Sequence, residues 1–126
     1  MFKVTFAPAN NTLMISYGGL VTPDETRLCG DEVRLALTTL QPGFRLTADL
    51  TELRAMEMAC SPEIGRIMEM CNAAGAAEVV RIIPHPTRDI GLQIMSLFHY
   101  GANVSIRTWA SAAEMAEALA AENQAG

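Results

Sequence analysis

The sequence predicts an α/β fold with one mixed, mostly parallel sheet of five strands flanked by four helices. Three observations lead to this prediction. Short extended runs alternate with helical repeats of apolar residues, and at two predicted helix starts a Ser or Thr is followed three residues later by Glu. The 126 residues contain no internal repeat or low-complexity linker, and this length fits a single core. Strands that alternate with helices build a mostly parallel sheet through right-handed crossovers.

The first two strands are predicted at Lys3 to Ala7 and at Leu13 to Tyr17. Pro8 and the pair Asn10-Asn11 stand between them. Proline stops ladder hydrogen bonding and asparagine tolerates a positive φ, so this segment indicates a tight connection. We therefore expect the first strand to run antiparallel to the second, and no other strand needs to do so.

A first helix is predicted from Thr22 to about Gln41. Thr22 can cap it, Pro23 suits the first helical position, and Glu25 completes a capping box. Pro42-Gly43 ends it. Its apolar residues recur at intervals of three and four and form a buried stripe: Cys29, Val33, Ala36, Leu37 and Leu40.

The third strand is predicted from Phe44 to Leu50, and a loop leads from it to a second helix at Ser61-Pro62. Ser61 can accept a backbone N–H as an N-cap, and Pro62 suits the first turn because its missing donor has no partner there. Open α/β proteins bind ligands where a helix follows the carboxyl end of a strand. The apolar stripe of this helix is Ile64, Ile67, Met68 and Cys71.

The rest of the chain supplies two more strands and two more helices. Glu78 to Ile83 is a β-branched run that suits an interior strand. Val104 to Thr108 makes the last strand, and its residues Val104 to Ile106 are expected to be a parallel neighbour or near-neighbour of the fourth strand. A third helix is predicted after Thr87. A fourth helix follows a second capping box at Ser111.

Composition and charge exclude several kinds of partner. The net charge is −5 and Lys3 is the only lysine, whereas nucleic acids and anionic membranes require a clustered basic surface. No apolar run reaches the length of a signal peptide core or of a membrane span of about 20 residues, so we expect a cytoplasmic protein. A single domain at 3–120 and a frayed tail at 121–126 are expected, and the size admits a homodimer.

The cysteines and histidines predict neither a metal site nor a cofactor. Three cysteines lack the paired short spacing of zinc and redox sites, so reduced thiols are expected. Two histidines are too few and too far apart to suggest metal ligands.

The stretch LTADLTEL at residues 46–53, with the order of elements over residues 3–120, resembles the STAS domain family, named for sulfate transporters and anti-sigma factor antagonists. In that family the third strand ends in Asp-Leu, here Asp49-Leu50. The next helix opens with Asp-Ser-Ser-Gly or Asp-Ser-Thr-Gly, whose first hydroxyl is phosphorylated in antagonists. The matching residues here are Ala59-Cys60-Ser61-Pro62, a degenerate motif with Cys60 at the phosphoacceptor position. The resemblance implies a STAS-like domain that binds a partner protein through this loop and helix.

Cys60 and Ser61 each allow two interpretations. Ser61 is either a phosphoacceptor or anion contact, or a structural N-cap, which we favour. Cys60 is either a nucleophile whose pKa the helix dipole lowers, or a small buried apolar residue, which we favour. His85 and Arg88 follow the fourth strand, and parallel strands bring their loop to the same sheet edge, so a ligand edge or a His85-assisted nucleophile is a further hypothesis.

The composition is also rich in methionine. Four of the eight methionines, at positions 56, 58, 68 and 70, surround the central loop and helix. Flexible thioethers suit surfaces that adapt to partners, and they also fill irregular cores. We predict a non-enzymatic regulatory or protein-interaction module. Two alternatives stay open: a protein that binds a small apolar or anionic ligand at the Cys60-Ser61 and His85-Arg88 edge, and a thiol or serine hydrolase. The predicted partner-binding residues are Met56, Met58, Cys60, Ser61 and Glu63.

Overall fold

The computed structural model describes residues 1–83 and 104–125, with side chains through residue 122. Within these residues five strands and three α-helices occur. The predicted helix after Thr87, together with His85 and Arg88, lies outside the described residues. In chain order the elements are β1 (Phe2–Ala7), β2 (Thr12–Val21), α1 (Pro23–Leu37), β3 (Arg45–Met56), α2 (Ser61–Ala73), β4 (Glu78–Ile82), β5 (Ser105–Trp109) and α3 (Ala112–Ala125).

The five strands form one sheet in the order β1-β2-β3-β4-β5. β1 runs antiparallel to β2, and every later neighbour pair is parallel. The prediction of a mixed, mostly parallel five-stranded sheet is confirmed. The prediction for the fourth strand is also confirmed, because β4 lies between β3 and β5 and pairs with both in parallel.

β2 and β3 are longer than predicted. β2 continues to Val21 and β3 to Met56, so the segment after Leu50 that the sequence predicts as a loop is mostly strand. The two strands keep pairing beyond the last residue that β4 reaches, through register shifts near Gly18 and at Gly19, where φ is +64°. A local pattern does not reveal this extension, because it depends on pairing between distant segments.

The hydrophobic core lies between the sheet and the layer of α1 and α2. Apolar residues of β2, β3 and β4 face these helices, and Leu13, Leu46 and Val79 lie side by side in register. α1 and α2 each bury five residues there. Four of the five stripe residues predicted for α1 are buried, and Leu37 is partly buried. α1 ends at Leu37, before the predicted Gln41, and single turns follow in which Thr38 and Thr39 hydroxyls donate to carbonyls three residues back.

α3 lies against the opposite face of the sheet and is held there by charged groups. Arg107 of β5 pairs with Glu122 of α3 and with Glu78 of β4, and Arg45 of β3 also donates to Glu78 at 2.9 Å. Ser111 Oγ accepts from the Glu114 N–H at 3.2 Å, as predicted for a helix start. α3 runs through Ala125, into the segment that the sequence predicts as a frayed tail, because Ala and Glu favour the helix.

Candidate partner-binding surface

The connection between β3 and α2 is short and built from backbone hydrogen bonds. After Met56, the Glu57 N–H donates to the Val21 carbonyl at 3.2 Å, which ties the end of β3 to the end of β2. Met58 to Cys60 then form one turn of 3-10 helix, in which the Cys60 N–H donates to the Glu57 carbonyl at 2.9 Å. The turn continues directly into α2. The surface at the start of α2 is therefore held by a fixed backbone.

Met58 is the most exposed large apolar side chain of the described residues, with 90% of its surface open to solvent. Met56, two residues earlier, is partly buried and contacts the core cluster. The two methionines consequently differ in role: Met58 offers a contact surface, and Met56 supports the turn from below.

Cys60 is completely buried, with 0% of its surface exposed. Its Sγ lies 3.5 Å from the Val21 carbonyl oxygen, to which it donates a hydrogen bond. Burial raises the pKa of the Cys60 thiol, and the nearby Glu57 and Glu25 carboxylates add to the increase. The thiol is thus neutral and covered, as the favoured interpretation of a small buried residue requires. Its burial contradicts the prediction of Cys60 as a partner contact and opposes a role as nucleophile. The 3-10 turn is the reason, because it directs this side chain inward.

Ser61 does not cap α2. It already has helical backbone angles, φ −53° and ψ −45°, and its N–H donates to the Met58 carbonyl. Cys60 occupies the N-cap position, and no side-chain cap hydrogen bond forms there. The N-cap prediction is wrong because the preceding 3-10 turn supplies a carbonyl where a cap would otherwise be needed, and Ser61 becomes the first helical residue. Its side chain is exposed.

Glu63 lies in the first turn of α2 and accepts a hydrogen bond from Arg66 Nη2 at 2.6 Å. The Glu63 side chain is partly buried, and that of Arg66 is more exposed. A carboxylate in the first turn complements the partial positive charge of the helix N-terminus. Met58, Ser61 and Glu63 are thereby brought onto one turn-and-helix segment, with an apolar side chain followed by polar ones.

His85 and Arg88 fall outside the described residues, so their predicted approach to Cys60 and Ser61 stays a prediction. Within the described residues no cluster of three or more His, Cys, Asp or Glu side chains is arranged to hold a metal ion. Of the helices described, none is long and apolar enough to cross a bilayer. No contact among the described side chains favours the ligand-binding or hydrolase hypothesis over protein binding.

Two features escaped the sequence reading. Leu20 is exposed on the extension of β2, where it pairs with Ala55, and the Gly18-Gly19 sequence just before it signals the register shift that turns it outward. A pocket of about 330 Å³ opens beside β1, β2 and β3. It is lined by Met1, Phe2, Lys3, Ser16, Tyr17, Gly18, Asp49 and Glu52.

Solved structures match nearly the whole chain. The anti-sigma factor antagonist SpoIIAA in its unphosphorylated form aligns with a TM-score of 0.60 at 16% identity, covering 94% of this chain and 97% of SpoIIAA. The phosphorylated form of the Bacillus cell fate determinant SpoIIAA aligns with a TM-score of 0.62 at 14% identity, covering 94% and 99% of the two chains. The chain has a STAS-like fold. The resemblance predicted from LTADLTEL and the order of elements is confirmed at this level.

An uncharacterized protein of the DUF3478 family with a SpoIIAA-like fold, from Shewanella loihica PV-4, aligns with a TM-score of 0.69 at 12% identity. The match covers 94% of this chain and 92% of that protein. Neither a protein-family model nor a curated protein matches the sequence. At these identities the likeness concerns the architecture.

Proposed function

We propose that this STAS-like domain is a non-enzymatic regulatory module that binds a partner protein through the 3-10 turn at Met58 to Cys60 and the first turns of α2. The observation that carries the proposal is the exposure of Met58, 90% of whose surface is open on a turn fixed by backbone hydrogen bonds. An exposed thioether on a rigid segment offers adaptable apolar contact without the entropy loss of ordering a loop.

The neighbouring side chains complete a small contact surface. Ser61 is exposed and Glu63 is paired with Arg66, so polar groups border the apolar contact of Met58. Protein interfaces commonly combine an apolar centre with a polar rim. Cys60 is excluded from the contact because it is buried, and Met56 acts as its support.

The fold supports a regulatory role. SpoIIAA, an anti-sigma factor antagonist solved in unphosphorylated and phosphorylated forms, is similar in architecture over 94% of this chain. By analogy, we propose that a phosphate would be received here by Ser61, because Cys60 is buried and has no hydroxyl. Three free, buried cysteines fit the reducing cytoplasm, which is where we place the protein.

The test is affinity capture of the partner from the cytosol of the source cell, followed by mass spectrometry. Met58→Glu places a charge in the apolar contact and is expected to lower capture at least tenfold while leaving the melting temperature unchanged. Leu35→Glu is the matched control, because Leu35 is 72% exposed on α1 and lies outside the proposed surface.

Equal capture by wild type and Met58→Glu would contradict the proposed surface. Turnover of a hydrolase substrate that both Ser61→Ala and His85→Ala abolish would overturn the non-enzymatic assignment. Ser61→Asp adds a further arm: if Ser61 is the phosphate site, this variant changes partner capture more than it changes the melting temperature.

A further inference from the structure

β1 is an edge strand whose outer side is open in the part of the chain that the structure describes, where it pairs only with β2. Met1 and Gly18 exchange two hydrogen bonds, Gly18 N–H to Met1 O at 2.7 Å and Met1 N to Gly18 O at 3.0 Å. Bonded and non-bonded pairs alternate in an antiparallel ladder. The N–H and C=O groups of Phe2, Val4 and Phe6 therefore point away from β2, toward the open side.

An apolar flank lies beside this open edge. Phe6 is 48% exposed, and Leu28 and Leu35 of α1 are 58% and 72% exposed. The two leucines are seven residues apart, two turns of the helix, and so lie on one side of α1. That side is turned away from α2. Gly30 lies on the opposite side of α1 and faces α2, because a Cβ added at Gly30 would lie 3.6 Å from Cγ1 of Ile67.

An ion pair shows where α1 lies relative to β1. The Met1 nitrogen contacts Glu25, which lies on the same flank of α1 as Leu28. Phe6 shares the face of Leu13, its partner in β2, and this face carries α1. Strand edge, Phe6 and the two leucines thus form one continuous strip, which we call the β1 edge strip.

We propose that the β1 edge strip is a symmetric self-association surface, on which a second copy of this chain pairs its β1 antiparallel to the first and extends the sheet across a two-fold axis. An isologous contact of this kind uses one surface twice. It is separate from the surface around Met58 and does not depend on the function proposed for that surface.

The open hydrogen-bonding groups select the register. With Phe2, Val4 and Phe6 pointing outward, pairing Val4 with Val4 of the second copy brings Phe2 opposite Phe6 and uses all three residues on each chain. A shift of two residues in either direction leaves one of the three unpaired. This register also places Lys3 opposite Thr5, so the only lysine does not meet itself.

The Val4–Val4 register places the two-fold axis at Val4, and the geometry of α1 independently indicates the same position. Val4 lies three residues beyond Met1, about 10 Å along the strand at ~3.3 Å per residue. The same distance along α1 from Glu25, at ~1.5 Å per residue, reaches positions 31–32. These positions are midway between Leu28 and Leu35. A two-fold axis at Val4 consequently sets Leu28 of each copy opposite Leu35 of the other.

The interface is small, and one electrostatic repulsion opposes its formation. A strip about 20 Å long and about 20 Å across strand and helix covers roughly 400 Å² on each copy. The total of roughly 800 Å² is below the size of standard stable interfaces, so a reversible dimer with a dissociation constant in the micromolar range or weaker is expected. Asp31 and Glu32 are exposed close to the axis and repel their copies. Screening by salt should therefore strengthen the dimer.

Disulfide trapping tests the register in the full chain. In the proposed dimer Lys3 and Thr5 form a non-hydrogen-bonded pair with Cα atoms about 4.5 Å apart, within the range of a disulfide. Mixing Lys3→Cys with Thr5→Cys under mild oxidation is expected to give a covalent heterodimer much faster than either variant alone forms a homodimer. The three native cysteines are buried and do not compete. Equal rates in the mixture and in the single variants would overturn this register.

Analytical ultracentrifugation tests the apolar flank. Leu35→Glu is expected to weaken the dimer at least tenfold, and Met58→Glu, the matched control at an even more exposed apolar side chain outside the strip, is expected to leave it unchanged. Wild type should associate more strongly as salt rises. A wild type that stays monomeric at millimolar concentration in high salt would overturn the proposal, as would a dimer that Leu35→Glu does not weaken. If the β1 edge instead binds a different protein, the mixture of Lys3→Cys and Thr5→Cys will not form a disulfide-linked heterodimer. That result would also reject the two-fold dimer.

Discussion

The two faces of the sheet are stabilised by different kinds of interaction. Toward α1 and α2, apolar residues of β2, β3 and β4 interlock with ten buried helix residues, five from each helix. Toward α3, Val80 and Ile82 of β4 are fully buried, whereas none of the described α3 residues is, and Met115, Ala118 and Leu119 are only partly covered. Ion pairs of Arg107 with Glu78 and Glu122 connect β4, β5 and α3 on this side.

The two sides of the sheet are expected to differ in their contribution to stability and in the surfaces that they offer for binding. Apolar burial contributes roughly 25 cal/mol per Å² and is not electrostatically screened by salt, whereas partly exposed ion pairs contribute little and are screened. The layer of α1 and α2 is thus expected to contribute more to stability than α3 does. This side of the sheet also carries both proposed interaction surfaces, the turn at Met58 and the β1 edge strip, on a rigid support.

The largest expected effect compares one residue from each face. Phe44 is completely buried in the core, and Phe44→Ala should lower the free energy of unfolding by about 3–5 kcal/mol through a cavity. Leu119→Ala on α3 should lower it by about 1 kcal/mol or less, because Leu119 is only partly covered. Urea denaturation of both variants measures the difference. Similar losses would show that the two faces contribute equally.

A second comparison uses two glycines with positive φ. A Cβ at Gly75, where φ is +97°, would lie 2.8 Å from Pro42 Cβ and 2.9 Å from Pro42 Cα, so Gly75→Ala should cost about 2–3 kcal/mol. At Gly19, with φ +64°, a Cβ meets nothing within 4 Å, so Gly19→Ala should cost about 1 kcal/mol. Thermal unfolding of the two variants checks the order. A larger loss of stability for Gly19→Ala than for Gly75→Ala would contradict the packing constraint at Gly75.

The ion-paired face should depend on pH. Partial burial raises the pKa of Glu78, but hydrogen bonds and attraction from Arg107 and Arg45 outweigh it and leave the pKa below its ordinary value of 4.5. A carboxyl whose pKa is lowered on folding stabilises the protein above its unfolded pKa, and this contribution is lost as the pH falls through the folded pKa. We expect wild type to lose about 1 kcal/mol more than Glu78→Gln between pH 6 and pH 3. Parallel losses in urea titrations would contradict this.

The smallest expected effect compares the starts of α1 and α2. Thr22 Oγ1 accepts from the Glu25 N–H at 3.3 Å, so Thr22→Ala should cost about 1 kcal/mol. Ser61 makes no cap hydrogen bond, so Ser61→Ala should change the free energy of unfolding by less than about 0.5 kcal/mol. Melting curves of the two variants provide the measurement, and a larger loss for Ser61→Ala would restore the capping role that the sequence suggested.

Local patterns predicted most of the fold. The capping box at Thr22, the stripe of α1 and the β-branched run of β4 depend on neighbours within a few residues, and each prediction agrees with the structure. The mostly parallel sheet followed from the alternation of strands and helices with right-handed crossovers. The site was predicted less well. Met58 is exposed as the proposed surface requires, but Cys60 is buried and Ser61 is a helical residue.

The sequence by itself determined the types of the described strands and α-helices and the mostly parallel sheet, because helical and extended periodicities and caps are local properties of the chain. The STAS-like fold was predicted from the resemblance of LTADLTEL and of the order of elements. Tertiary structure decided how far β3 extends and which way Cys60 points, because pairing with β2 carries the strand to Met56 and the Val21 carbonyl receives the thiol. The open side of β1 and the exposed leucines of α1 likewise appear only once distant segments have packed. Exposure is a property of the assembled surface, and no short stretch of sequence encodes it.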